Sequence, residues 1–247
     1  MADNRWRWLW RRVFQTPAYT PSAADQRTFV VAGLELPFRA TVAISVVVFA
    51  VIFDFSRTFI PDALVAYDRN PGIQRLMAID RIVLYAIVPL LVVVFGFRDR
   101  AARYGVSVGD WRVGLPLTVV GCAVMTPIVL WFAAQPDART YYAPSWSSLP
   151  DVLVTNVLDL LSSEFLFRGF LLFSLVRVMG PIGVLVATLP FVFSHLTKPE
   201  LELLSTLAGG MVYGWLAWRT ESVLWGATAH TYILTLLIAV AGQPSTP

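Results

Sequence analysis

The chain has 247 residues, of which 57% are hydrophobic and 14% charged, with 19 Lys or Arg against 16 Asp or Glu. Soluble domains carry roughly 25% charged residues, and the mean hydropathy here is +0.65. These values exclude a soluble globular enzyme, a disordered chain and a nucleic-acid-binding module. At about 20 apolar residues per helix the composition furnishes roughly seven spans, so the expected fold is an all-α polytopic membrane bundle. The net charge of +3 reports topology in such a protein rather than a nucleic-acid partner. The single cysteine, Cys122, has no partner for an intramolecular disulfide.

Residues 1–35 read as a basic, interfacial N-terminal segment, in which arginine and tryptophan alternate from Arg5 to Arg12. Such a composition suits the headgroup layer on the cytoplasmic side, and Pro17, Pro21 and the residues after them read as a short linker. Residues 36–150 read as N-terminal transmembrane helices and loops, with spans at about 36–53, 79–97 and 115–134. Asp54, Arg57, Asp62, Asp68 and Arg69 fill the first loop, and Arg98, Arg100, Arg103 and Arg112 the second. Tyr141, Tyr142 and Trp146 suit an interface. Residues 151–241 form the third region, with spans at about 152–176, 182–196, 203–218 and 223–240, and 242–247 is a tail. If the helices alternate from a cytoplasmic N-terminus, the arginines at 5–12, 98–112, 177 and 219 share one side, as the positive-inside rule requires.

Ionisable groups inside a span are costly and mark function by default. Both histidines, His195 and His230, fall in the last three spans, and Glu164 lies deep in the fourth with Arg168 one helical turn later. Asn156, Asp159 and Ser163 extend a polar stripe along that helix. At 1.5 Å per residue, Glu164 lies roughly 20 Å from Arg177, His195 roughly 21 Å from Pro181 and His230 roughly 16 Å from Arg219, each at one end of its span. A glutamate and two histidines at a common depth suit water activation. The bland readings stay open beside this one. Glu164 and Arg168 can simply neutralise each other, and each histidine, Asp159, Asn156 and Ser163 can serve as inter-helical glue. Gly209, Gly210 and Gly214 read as close helix packing, and Trp215, Trp218 and Trp225 as interfacial anchors.

The string Ser163-Glu164-Phe165-Leu166-Phe167-Arg168-Gly169 resembles the first motif, Glu-Glu-x-x-x-Arg, of the CPBP family. These are the CAAX-protease and bacteriocin-processing (Abi-type) intramembrane proteases. Phe191-Val-Phe-Ser-His195 resembles the second motif, Phe-x-x-x-His, and His230-Thr-Tyr-Ile-Leu234 the third, His-x-x-x-Asn/Asp. The likeness covers about residues 150–240. It implies an endopeptidase that hydrolyses a peptide bond in a membrane-anchored protein or peptide, in a multi-pass protein of the bacterial inner (plasma) membrane with a cytoplasmic N-terminus.

Carried over, Glu164 with His195 activates water, His230 stabilises the oxyanion and Arg168 holds Glu164. Two positions depart from the motifs. Ser163 stands where the family has its first glutamate, the water-activating base, and Leu234 stands where it has the final Asn or Asp. Glu164 would then act as base itself, or Asp159 would act through Ser163, or the chain is an inactive relative serving as a membrane scaffold, immunity factor or chaperone. A Ser163 nucleophile and a proton-coupled transporter are further readings. Glu164, His195 and His230 would also make three ligands for a divalent metal such as zinc, placed second because no His-Glu-x-x-His helix is present.

Overall fold

A computed structural model of the chain describes residue 7 and residues 10–56 and 69–243. Arg5, Arg57, Asp62, Asp68 and the tail beyond 243 lie outside the described residues. The architecture is a helical bundle with one small exception to the all-α expectation. That exception is a β-hairpin, β1 (Thr28–Val31) and β2 (Leu34–Pro37), paired antiparallel with Val31 opposite Leu34. It occupies part of the N-terminal segment. Ala32 and Gly33 both take positive φ, as the two-residue turn of a tight hairpin demands.

Helix α1 spans Phe38–Ser56 and buries Ala40, Ala43, Val47, Ala50 and Asp54, a spacing of three and four that defines one face. Its other face, with Val48, Phe49 and Ile52, points outward. Helix α2 spans Pro71–Gly96. Asn70 caps it, accepting from Gly72 N at 2.8 Å, and Pro71 sits in its first turn. The helix widens into π turns at Ile82–Ile87 and Val92–Gly96, on either side of Pro89. Proline has no N–H for the carbonyl four residues back, so an inserted residue is the local accommodation. Helix α3, Trp111–Ala133, follows, then the short α4, Pro136–Tyr142.

The central element is α5, a continuous run over residues 149–179 in three parts. It begins at Leu149–Glu164, passes through a π-helical stretch at Phe165–Leu171 and ends as Leu172–Met179. Every residue of the π stretch is buried. Phe167 meets Tyr85 of α2 at 6.0 Å, and Phe170 stacks on Phe97 at 6.0 Å. Helices α6 (Ile182–Phe193), α7 (Glu200–Thr220) and α8 (Leu224–Gly242) complete the bundle. Helix α8 packs on α3 and α5, and α7 on α6.

Among the described residues, α1, α2, α3 and α8 are long and apolar enough to cross a membrane, and α6 is a shorter apolar helix. The expected spans coincide with helices along the whole chain, but α5 carries the polar stripe and α6 stops at Phe193. His195 therefore lies in the turn after α6 rather than inside a span. Pro190 precedes this end, and the chain leaves the helix through Ser194 towards Lys198-Pro199.

Gly210 and Gly214 do pack against α6, where an added Cβ would come 2.5 Å from Thr188 and 3.0 Å from Val184. Gly209 instead faces open space. The tryptophans do more than anchor. Trp215, Trp218 and Trp225 donate to the carbonyls of Phe14, Pro17 and Val108, tying the N-terminal segment and the α2–α3 connection to α7 and α8. Trp218 is itself buried.

Several of the described arginines used for topology, Arg103, Arg177 and Arg219 among them, meet acidic or backbone partners where the connections between helices lie, and Arg39 joins them. Arg39, at the start of α1, donates to Asp99 at 2.6 Å and pairs with Asp25 at 3.3 Å. Arg103 and Arg177 also reach Asp99, at 2.9 and 3.7 Å. Burial pushes Asp99 up, but the bonds from Arg39, the Arg100 backbone and Arg103 outweigh it and hold the carboxyl below its ordinary range. Asp25 is lowered against the same burial by Ser22 and Arg39. Arg219, at the end of α7, pairs with Asp110 at 3.1 Å and donates to the backbone of Arg12 and Val13.

Candidate active site

The site forms where α5, α6 and α8 meet. Glu164 and Arg168 lie one turn apart on the same face of α5, and Arg168 Nη1 donates to Glu164 Oε1 at 3.1 Å. Both are buried, at 1% and 2% exposure. From α8, His230 Nδ1 lies 2.9 Å from the same oxygen. Glu164 Oε1 is thus shared by a guanidinium and an imidazole, while Oε2 and Arg168 Nη2 have no hydrogen-bond partner among the described residues. Gly226, one turn before His230, faces that second oxygen, and a Cβ there would come within 3.4 Å of it.

Phe191 is the hub. The Arg168 guanidinium sits 3.8 Å from its ring centre. The His195 ring is 4.4 Å away and the His230 ring 6.0 Å away. His195 Nδ1 is 2.8 Å from the Phe191 carbonyl, its own i−4 oxygen. Carbonyls only accept, so Nδ1 carries the proton and Nε2 keeps its lone pair. Tyr213 of α7 stacks on His230 at 5.3 Å and 22°. Sequence reasoning gave Tyr213 no part in the site. Stacking is invisible to spacing alone because it depends on how α7 is rotated.

Glu164, Arg168, His195 and His230 are therefore brought to one locus, with Glu164 bonded to His230 and not to His195. Asp159 goes elsewhere. Both its oxygens accept from Arg81 Nη1, at 2.9 and 3.0 Å. Arg81 in turn grips Asp54 through Nε and Nη2, both at 3.0 Å, and Tyr85 donates to Asp54 at 2.9 Å. No side-chain hydrogen bond joins Asp159 to Ser163, so the relay through the serine hydroxyl is not formed. Asn156 donates to Thr235 at 3.0 Å, which is the inter-helical glue expected of it. Arg81 was the missed partner. Its signal was its position just inside the second span, where an arginine needs carboxylates.

The metal expectation fails on geometry. Among the described residues, no three His, Cys, Asp or Glu side chains converge as ligands. Glu164 Oε1 is already held by a guanidinium, whose charge would repel a divalent cation. Zinc does not fit this donor set.

Beside the site lies an open cavity of about 130 Å³. Asp54, Arg81 and Asp159 form one wall, and Tyr141, Tyr142 and Lys198 another. Ser194, next to His195, and Leu234, one turn after His230, also line it. Lys198 donates to the Tyr142 hydroxyl at 2.7 Å and pairs with Glu202 at 3.2 Å. Burial, and then Glu202, raises Tyr142 well above the ordinary phenol range, so its hydroxyl keeps its proton and donates to Glu202. Leu234 also packs against the apolar cluster of Val129, Leu237 and Ile238.

Residues 145–236 match the family model described as type II CAAX prenyl endopeptidase Rce1-like. The matched segment contains α5 to α8 up to the third motif, and it agrees with the CPBP resemblance. No curated protein and no solved structure matches the chain.

Proposed function

We propose that this protein is an intramembrane endopeptidase in which a buried carboxylate orients a histidine that activates water. The observation carrying this reading is the 2.9 Å contact between Glu164 Oε1 and His230 Nδ1. Glu164 is sealed at 1% exposure, whereas the His230 side chain keeps 15%. A sealed carboxylate is poorly placed to take a proton from incoming water. The base role therefore passes from Glu164 to His230 Nε2, and Glu164 fixes the tautomer and steadies the imidazolium. Arg168 keeps Glu164 ionised.

Water attacks the scissile carbonyl carbon and gives a proton to His230 Nε2. The C–N bond then breaks, and the imidazolium returns that proton to the leaving amine. His195, with Nδ1–H fixed on the Phe191 carbonyl, offers Nε2 to hold the attacking water. The adjoining cavity accommodates the polar part of a membrane-associated substrate. In this reading residues 151–241 are the catalytic region, the arginine-rich end faces the cytoplasm, and the membrane is the bacterial plasma membrane.

Leu234 favours a second reading. It offers no amide to a developing oxyanion and is packed in an apolar cluster, as suits an inactive scaffold. The two separate when purified protein in lipid nanodiscs is incubated with a library of membrane-anchored peptides and the products are read by mass spectrometry. Cleavage by the wild type that is lost in His230→Ala supports the protease. Intact peptides throughout support the scaffold.

A further inference from the structure

The hairpin before α1 has an unusual tip for a solvent-facing turn. Two-residue turns of this type favour Asn-Gly or Asp-Gly, yet the sequence here is Val30-Val31-Ala32-Gly33-Leu34. Val30, Val31 and Leu34 are exposed by 69%, 50% and 65%, and among the described residues no other part of the bundle covers them. The face formed by Val31 and Leu34 is apolar at the tip, while the other pairs Val30 with Glu35, whose carboxylate accepts from the Thr28 hydroxyl at 2.6 Å.

The base of the hairpin is rigid. Phe29 meets Phe38 edge-on at 6.1 Å, and Phe38 meets Phe97 at 6.0 Å. Arg27 lies 4.7 Å over Phe38, and the Phe38 N–H donates to the Arg27 carbonyl at 2.8 Å. Arg39 then locks the start of α1 to Asp25, Asp99 and Tyr104. The strand runs directly into α1, a helix long and apolar enough to span a membrane. Four residues of strand reach about 13 Å, so the tip lies within that distance of the point where α1 begins.

This end of the bundle also exposes cations and large apolar side chains together. Arg27, Arg98 and Arg100 are exposed close to the hairpin base, and Trp10, Phe14 and Trp111 are exposed on neighbouring elements of the same end. Apolar side chains rimmed by arginines are the composition of a surface lying in the headgroup layer.

We infer that the hairpin is an interfacial anchor. Its apolar tip enters the boundary between headgroups and acyl chains of the bilayer that α1 crosses, and Arg27, Arg98 and Arg100 meet anionic phospholipid headgroups. Through Arg39 the anchor fixes the depth of α1 and the ends of α2 and α5. Those helices carry the walls of the site.

The test is nitroxide depth measurement on the full chain in nanodiscs. Single labels at Val31→Cys and Leu34→Cys are placed in a Cys122→Ser background, with Phe95→Cys as a lipid-facing reference and Asp137→Cys as an aqueous one. In phosphatidylcholine with phosphatidylglycerol, both tip labels should collide with oxygen in preference to a nickel chelate, as Phe95 does. The preference should weaken in phosphatidylcholine alone. Nickel access matching Asp137 at both positions overturns the anchor. Exclusion of both reagents, the mark of a protein cover, overturns it too, and immersion indifferent to phosphatidylglycerol overturns the assignment to anionic headgroups.

Discussion

Glu164 Oε1 and His230 Nδ1 lie 2.9 Å apart although 66 residues separate them in the chain. The contact joins α5 to α8 at the level of the buried π stretch, and Arg168 completes it from one turn further along α5. A carboxylate bonded to Nδ1 leaves Nε2 as the working nitrogen. This arrangement, rather than the depth of any single residue, is what gives the site a chemistry.

Glu164→Gln tests that relationship. The amide can still touch His230, but it can neither stabilise an imidazolium nor hold the tautomer as strongly. Cleavage should fall by about 10²- to 10⁴-fold in kcat with KM little changed. Initial rates on any cleaved peptide check this, and an unchanged kcat removes Glu164 from the reaction.

Leu234→Asn tests what the third motif lacks. Leu234 stands one turn after His230 and lines the cavity, so an amide there is placed as an oxyanion donor. One such donor is worth about 10² to 10³ in rate, and the variant should gain on the order of 10²-fold. A flat response in kcat shows that another group already meets the oxyanion.

Arg81→Ala addresses stability rather than chemistry. It leaves Asp54 and Asp159 without their shared guanidinium. Removing one partner of a fully buried ion pair costs about 3–5 kcal/mol, and this cluster, with Arg81 24% and Asp159 18% exposed, should lose less than that. Thermal unfolding in detergent should show a clear loss, and Asp159→Asn a smaller one. Equal melting temperatures contradict a structural role for this cluster.

Much of the bundle was readable because hydrophobic runs of span length have few alternatives in a chain this apolar. The first motif was readable for a related reason. Glu164 and Arg168 share one helix, so their pairing follows from the i, i+4 spacing alone. His230 was placed at the right depth, but its partner was not, because helix rotation decides which histidine turns to Glu164. The end of α6 was hidden because hydropathy carried the span on to Leu196, past the last helical residue, Phe193. Arg81 was hidden by lying at the edge of its span, where it reads as a loop charge until α1 and α5 supply Asp54 and Asp159. The hairpin was hidden within a stretch whose prolines suggested only a linker.

The pH response follows from Asp25 and Asp99. Both carboxyls are held below their ordinary value of about 3.9 by hydroxyl and arginine partners that outweigh burial. A lowered folded pKa contributes stability that is present above the unfolded value and lost as pH falls through the folded one. The arginine-rich end should therefore stay intact from neutral pH down to about 4 and loosen only below it. Thermal melts across that range should show the fall, and Asp99→Asn should lower stability at pH 7 while flattening the acid slope. A slope unaltered by the substitution contradicts this assignment.

The most direct test of the central claim compares protein termini in membranes from cells expressing the wild type, Glu164→Gln and His230→Ala at matched levels. Peptide-bond hydrolysis driven by the Glu164–His230 pair predicts new termini on membrane-associated proteins in the wild type that are absent from both variants. Identical termini in all three would contradict it.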